Sequence, residues 1–180
     1  RELSIEDLLG REKIELNLNE LQKSLANKTI MVTGGGGSIG FELCYQISKL
    51  GPEKIIVLER SEFNLYKVEK KLSDSSVLVE FVLGDLCDKE KLNHVVKKFL
   101  PDIIFHAAAY KHVPILEKNA REAIRNNIIG TKNIVDMASH YNCEKFILIS
   151  TDKAVNPTNV LGASKRIAEL YVEDMNNKSS

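Results

Sequence analysis

The segment Thr33-Gly34-Gly35-Gly36-Gly37-Ser38-Ile39-Gly40 is the part of this sequence best equipped for chemistry. It follows a short β-type run, Thr29 to Thr33, and opens an amphipathic helix, the context in which such glycines bind a dinucleotide. Small residues at Gly34, Gly37 and Gly40 let the backbone turn tightly and approach a pyrophosphate. The helix that starts at Ser38 and Ile39 offers unpaired N–H groups and a partial positive charge to the phosphates. Glu59 ends the second strand, where an acid accepts hydrogen bonds from the adenosine ribose hydroxyls and repels a 2′-phosphate, which favours NAD. Arg60 beside it is able to pair with a 2′-phosphate, so NADP stays open as the less favoured cofactor. Asp85 stands as a turn former after the third strand. At the end of the fourth strand, Ala107, Ala108 and Ala109 let a cofactor lie close to the backbone. Lys111 either reaches a substrate phosphate or sugar or is a solvated lysine. His106 and His112 raise the question of a metal, but no carboxylate or cysteine stands at ligand spacing, so none is expected.

These residues need elements to hold them. Helical segments are expected over Leu18 to Leu25, Ser38 to Leu50, Ser61 to Leu72 with Ser61 as N-cap, and Asp88 to Phe99. A long helix is expected over Pro114 to His140, with Ile124, Ile128, Thr131, Ile134, Val135 and Ala138 on one stripe, and a last helix over Thr158 to Met175. A helical turn is expected at Asp7 to Gly10. Strands are expected at Thr29 to Thr33, Lys54 to Leu58, Val77 to Leu83, Asp102 to Ala107 and Lys145 to Ser150. Strands alternating with helices, each strand a continuous apolar run, make an α/β fold: a doubly wound parallel sheet of Rossmann type. Residues 1–28 read as an N-terminal arm, and residues 29–180 as an NAD(P)-binding domain that is part of a longer catalytic domain. Phe146-Ile147-Leu148-Ile149 supports that division. It is apolar on both faces like a central strand, yet no strand follows it. The arm covering that edge is the alternative.

Lys plus Arg and Asp plus Glu both number 25. The resulting zero net charge gives a nucleic-acid or membrane-surface partner no electrostatic support. Cys44, Cys87 and Cys143 are scattered and odd in number, as expected of reduced thiols. No apolar run reaches the roughly 18 residues of a membrane-spanning helix.

The Thr-Gly-x-x-Gly-x-x-Gly form at Thr33, Gly34, Gly37 and Gly40 resembles the extended short-chain dehydrogenase/reductase superfamily, in which Asp85 and Leu86 hold the adenine. Ser4 to Arg11, Glu59 to Tyr66, His106 to Pro114 and Ser150-Thr151-Asp152-Lys153-Ala154-Val155-Asn156-Pro157-Thr158-Asn159 resemble the CapD-like polysaccharide biosynthesis proteins. These are bacterial UDP-N-acetylglucosamine 4,6-dehydratases. The resemblance covers nearly all of the chain but not the C-terminal region that completes the family's nucleotide-sugar pocket. It implies a UDP-sugar substrate, a protein anchored at the cytoplasmic face of the inner membrane, and a homo-oligomer formed through the long and last helices.

The family's reaction, as the resemblance implies, oxidises C4 of the sugar, removes water across C5 and C6, and returns the hydride to C6. It needs a base at C4, a base at C5 and an acid for the C6 hydroxyl. The resemblance places Asp152 as that acid, Lys153 as the C5 base and Thr151 as the hydrogen-bond partner of the C4 oxygen; Lys111 and Asn156 are the candidate substrate contacts. By local sequence alone, Asp152 and Lys153 are a surface ion pair after a strand. Lys165 matches the lysine that holds the nicotinamide ribose. Asn127 matches the superfamily's active-site asparagine or is a polar residue on a helix face. The superfamily's Tyr-x-x-x-Lys is broken here, because Leu161 occupies the tyrosine position. A leucine cannot take a proton, so Asp152 is expected to serve as both C4 base and C6 acid. Two competing readings remain: a nucleotide-sugar 4-epimerase, which would need the tyrosine at position 161, and a non-catalytic NAD-binding module.

Overall fold

A computed structural model of the chain describes residues 17–179. The expected turn at Asp7 to Gly10 lies outside the described residues. The elements run α1 (Leu18–Leu25), β1 (Thr29–Thr33), α2 (Ser38–Ser48), β2 (Lys54–Glu59), α3 (Glu62–Leu72), β3 (Leu78–Leu83), α4 (Lys89–Phe99) and β4 (Ile103–His106). They continue with α5 (Val113–Lys118), α6 (Ala120–Ala123), a π-turn (Ile124–Ile129), α7 (Gly130–His140), β5 (Lys145–Leu148), a 3₁₀ turn (Asp152–Ala154) and α8 (Val160–Ser179). The strands form one parallel sheet in the order β3-β2-β1-β4-β5. This is the doubly wound Rossmann arrangement expected from the sequence, with its switch point beside β1.

Alternation along the central strands builds two cores. Ile30, Val32, Ile55 and Val57 point to one face and pack with Cys44, Ile47, Val68 and Leu72 from α2 and α3. Met31, Ile56, Leu58 and Ile104 point to the other and pack with Leu92, Val95 and Val96 of α4 and Ile134 and Ala138 of α7. Successive strand side chains face opposite ways, so a strand apolar at every position needs helices on both sides. The expected Ser61 N-cap is formed, and Asp88 caps α4 in the same way. The Ser61 hydroxyl accepts from the Asn64 N–H at 3.3 Å, and the Asp88 carboxylate from the Lys91 N–H at 3.0 Å. β5 pairs only with β4 among the described residues and leaves a sheet edge, with Phe146, Ile147 and Leu148 half-buried.

The long helix expected over Pro114 to His140 is broken. At Asn119 the backbone leaves helical space (φ −137°, ψ 48°) and the side-chain amide donates to the Ile115 carbonyl at 2.8 Å, which competes with helix continuation. Further on, the Gly130 N–H bonds to the Arg125 carbonyl five residues back, the mark of a π-turn. That extra residue shifts the helix phase. Thr131, Ile134, Val135 and Ala138 are buried as the stripe requires, but Ile124 is 49% exposed, while Ala123 and Asn127 turn inward.

Candidate functional site

The glycine turn sits at the C-terminal end of β1, and its shape explains its composition. Gly34 has φ 68°, and a Cβ there would meet the backbone of Ala108 at 2.6 Å. A Cβ on Gly40 would lie 2.1 Å from the Gly34 carbonyl oxygen, so the start of α2 packs directly on the turn. Gly37, by contrast, opens into a cleft of about 320 Å³. The strand ends around the turn supply the other walls: Glu59 and Arg60 after β2, Asp85 and Leu86 after β3, and Ala107, Ala108, Ala109 and Tyr110 after β4. Nine predicted cofactor residues thus meet in one cleft. Thr33 and Gly40 lie buried beneath it, and Ser38 and Ile39 form the exposed first turn of α2.

Each wall is held by specific bonds. The two oxygens of Glu59 accept from the Gly36 N–H at 3.0 Å and the Ser61 N–H at 2.9 Å, which fixes a 7% exposed carboxylate at the edge of the cleft. The Arg60 guanidinium lies over the Tyr110 ring, 4.8 Å from its centroid, and donates to Asn126 Oδ1 at 3.2 Å. Asp85 closes the expected turn, accepting from the Cys87 N–H at 2.9 Å, and pairs with Arg125 at 3.0 Å. Burial works against its charge, but the Cys87 N–H and Arg125 outweigh it and hold the Asp85 carboxyl below its ordinary range.

Beneath the cleft runs a buried chain that the sequence does not announce. The parallel register sets Thr33 opposite His106. The Thr33 hydroxyl lies 2.6 Å from His106 Nδ1, His106 Nε2 lies 2.8 Å from the Thr131 hydroxyl, and that hydroxyl donates to the Asn127 carbonyl at 2.6 Å. Because Thr131 donates onward, it accepts from Nε2–H, so Nδ1 accepts from Thr33 and the tautomer is fixed. Burial, with a smaller contribution from the nearby Lys165 charge, pushes the His106 pKa down to about 3, so the ring is neutral. Both ring nitrogens are committed within the fold.

Asn127 is not an open helix-face residue. Its Oδ1 accepts from the Tyr110 N–H at 2.8 Å, and its Nδ2 donates to the Tyr110 carbonyl at 3.1 Å and to Ser164 Oγ at 3.0 Å. It ties the loop after β4 to α8. One helical turn along α8 from Leu161, Lys165 is 5% exposed, and its Nζ donates to the Ile149 carbonyl at 2.6 Å. Burial lowers its pKa to about 8, against a smaller opposing pull from Glu169. Leu161 itself is core, 4% exposed among Leu116 and Ala123.

Asp152 and Lys153 lie in the 3₁₀ turn after β5, with Thr151 as its N-cap, on the same C-terminal edge of the sheet. The Thr151 hydroxyl donates to Asp152 Oδ1 at 2.9 Å, and Lys153 Nζ lies 3.4 Å from the same oxygen. The Asp152 side chain is 87% exposed and that of Lys153 49%. The Thr151 hydroxyl and the Lys153 ammonium hold the Asp152 carboxyl below its ordinary range. The turn is seated by Gly162, a residue the sequence reading missed, since a Cβ there would strike the Lys153 carbonyl at 2.2 Å. Asn156 is exposed with φ 135°. Lys111 and His112 belong to a second, mostly apolar hollow of about 410 Å³ that shares Tyr110 with the first. Among the described residues no three or more His, Cys, Asp or Glu side chains are placed to hold a metal.

Residues 30–180 match the family described as polysaccharide biosynthesis protein. The chain belongs to that family. Within it, the chain is CapD-like and of the extended short-chain dehydrogenase/reductase type. It is 48% identical to the capsular polysaccharide biosynthesis protein CapD of Staphylococcus aureus, over 100% of this chain and 31% of that protein. Identity is 36% to a UDP-N-acetylglucosamine 4,6-dehydratase (inverting) of Campylobacter jejuni, over 83% and 44%, and 34% to a UDP-glucose 4-epimerase of Rickettsia rickettsii, over 79% and 42%. The structure of Pen from Bacillus thuringiensis superposes with a TM-score of 0.81 at 28% identity, covering 87% of this chain and 49% of that one. The polysaccharide biosynthesis chain thus spans less than half the length of these relatives. Its relatives include both nucleotide-sugar dehydratases and epimerases, which makes nucleotide-sugar modification the common ground of the family. No helix among the described residues of this family member is long and apolar enough to cross a membrane.

Proposed function

We propose that this chain is the cofactor half of a nucleotide-sugar 4,6-dehydratase that converts UDP-N-acetylglucosamine to a UDP-4-keto-6-deoxy sugar for surface glycan synthesis. The observation that carries the reading is the common edge: the glycine-turn cleft, Lys165 and the Thr151–Lys153 turn all lie at the C-terminal ends of the same parallel sheet. Ligands bind at that edge in open α/β sheets. The cleft suits a dinucleotide, because its floor is glycine wherever a Cβ would collide with Ala108 or the turn itself. Glu59, anchored by two N–H groups at the cleft edge, favours NAD over NADP. Gly34, Gly37, Ser38 and Ile39 would hold the pyrophosphate, with Gly40 packed beneath the turn; Asp85 and Leu86 would hold the adenine, Ala107 to Ala109 the middle of the cofactor, and Lys165 the nicotinamide ribose. When bound, NAD supplies the acceptor and later the donor of one hydride.

Asp152 enters the reaction ionised, as its depressed carboxyl requires. It takes the C4 hydroxyl proton as the C4 hydride departs, and Thr151 holds the C4 oxygen. The C5 step uses the free-amine form of Lys153, whose Nζ lies 3.4 Å from Asp152 Oδ1. Lys153 takes the C5 proton, now acidic beside the ketone, and Asp152 returns its proton to the departing C6 hydroxyl as water. Return of the Lys153 proton to C5 leaves Asp152 ionised and Lys153 a free amine, as at the start, with no net oxidation. Asn127 holds the loop that carries Lys111, and Lys111 and Asn156 meet the nucleotide sugar. Membrane anchoring at the cytoplasmic face and pairing through α7 and α8 belong to the same proposal. A 4-epimerase is the second reading, favoured by the Rickettsia relative. It lacks its phenol here, since Leu161 is packed in an apolar cluster.

The test is incubation of the full-length protein with UDP-N-acetylglucosamine. A 4-keto-6-deoxy product supports the dehydratase, a C4 epimer supports the second reading, and no product from an enzyme that binds NAD supports a non-catalytic module. In Asp152→Asn, hydride transfer at the wild-type rate would remove Asp152 from the C4 step.

A further inference from the structure

Three consecutive side chains of the π-turn reach three different walls of the cleft. Arg125 pairs with Asp85 after β3, Asn126 accepts from Arg60 after β2, and Asn127 holds both backbone groups of Tyr110 after β4. In an α-helix, three successive side chains fan out by roughly 100° per residue, too widely to serve one rim. The π-turn opens the helix by one residue and reduces that spread. The turn is itself seated on the cleft. Cys87 Sγ bonds the Arg125 carbonyl at 3.1 Å, and Gly130 packs against Leu86, whose Cβ a Cβ at position 130 would meet at 3.4 Å. The bonds from Arg125 and Asn126 add little to stability: the Arg125 side chain is 47% exposed and that of Asp85 30%, the setting in which ion pairs contribute least. Two half-exposed contacts placed side by side on a ligand cleft, at a break in helix geometry, are poorly explained as fold stabilisers.

We infer that the π-turn is a positioning device that sets the separation of the β2 and β3 walls around the adenosine end of the cofactor, with Arg125 and Asn126 as its positioning residues. This rests on the dinucleotide reading of the cleft. Arg125 holds Asp85 and Leu86 in place. Asn126 fixes Arg60 flat against Tyr110, so that its cation lies across the mouth instead of swinging over the Glu59 carboxylate.

The test is calorimetric titration of the full-length protein with NADH, ADP-ribose and nicotinamide mononucleotide, alongside thermal melts. Arg125→Ala is expected to weaken NADH and ADP-ribose by the same factor, about fivefold, with nicotinamide mononucleotide unchanged and the melting temperature within about 2 °C of wild type. Arg125→Lys, which keeps the charge, is expected to recover most of the loss. Asn126→Ala, which frees Arg60, is expected to narrow the preference for NADH over NADPH. Unchanged ADP-ribose affinity in both alanine variants, or losses that merely follow a lowered melting temperature, would overturn the inference while leaving the cleft assignment intact. A wild-type protein that binds neither NADH nor NADPH would instead overturn the cleft assignment, and the inference with it.

Discussion

Replacing His106 by glutamine should flatten the acid side of the stability profile. His106 is 1% exposed, neutral, and bonded at both nitrogens, to Thr33 and to Thr131. Its pKa falls from 6.5 to about 3 on folding, chiefly through burial. At pH 7.5 the ring is neutral in both folded and unfolded chains and costs nothing by titration. As the pH falls below 6.5 the unfolded chain takes up a proton that the folded one refuses, so stability is lost steadily toward pH 3. The linkage amounts to about 1.4 kcal/mol between pH 7.5 and 5.5, and about 2.7 kcal/mol by pH 4.5. Glutamine offers one acceptor and one donor but does not titrate. Urea unfolding of both proteins at pH 7.5, 5.5 and 4.5 isolates the effect, since the carboxylates common to both cancel in the difference. Wild type should lose the quoted amounts relative to His106→Gln. Parallel profiles would mean that the ring takes up a proton in the fold as readily as in the unfolded chain, and the Thr33–His106–Thr131 bond directions would then be wrong.

Other substitutions probe the rest of the site. Lys165 has the opposite pH window. Its pKa drops from 10.5 to about 8 on folding, so the cost of burying its charge is full below pH 8 and is relieved as the pH rises toward 10.5. Relative to Lys165→Met, wild type should gain about 2 kcal/mol between pH 8 and 10 in urea melts, and no gain would place the ammonium in water. Gly40→Ala puts a Cβ 2.1 Å from the Gly34 oxygen and should abolish NADH binding and lower the melting point. Gly37→Ala, whose nearest neighbour is at 3.3 Å, should fold normally, with any loss confined to NADH affinity. Leu161→Ala should cost about 2–4 kcal/mol in a denaturant melt as a core truncation, and a cost near zero would show that position 161 faces the reaction space.

What the sequence could reveal of this site depends on how far apart the interacting residues lie along the chain. The glycine turn, Glu59 and the alanines after β4 were legible because each carries its signal locally: a residue type at the end of an apolar run. Alternation of apolar strands and helices was enough to fix the sheet. The π-turn was not legible, because reading a 3.6-residue period through Pro114 to His140 assumes an unbroken helix. One inserted residue moves Ile124 outward and Asn127 inward without leaving a compositional mark. The His106 chain was equally hidden. It exists because β1 and β4 pair in a register that sets Thr33 beside His106, a fact about residues 73 positions apart.

The same distinction separates the two halves of the proposed chemistry. The walls of the glycine-turn cleft are tied to one another by Glu59, Arg60, Asp85 and the π-turn. The Thr151–Lys153 turn is seated through Gly162 and α8, and its acid and base are exposed, with Asp152 87% exposed. An exposed carboxylate in water is a weak base and an indifferent acid. Its use in both roles requires an apolar cover that excludes water once the sugar is bound. Under the proposed dehydratase reading, the part of the protein that completes the nucleotide-sugar site does more than recognise the sugar. By closing over Asp152 and Lys153 it should raise the Asp152 carboxyl from its depressed value toward the range where it can return a proton to the C6 hydroxyl. In the full-length protein this predicts that the acid limb of the kcat profile lies at higher pH than the Asp152 titration measured in the 180-residue chain by NMR. Coincident values would mean that the cover leaves Asp152 in water, and that another group supplies the C6 proton.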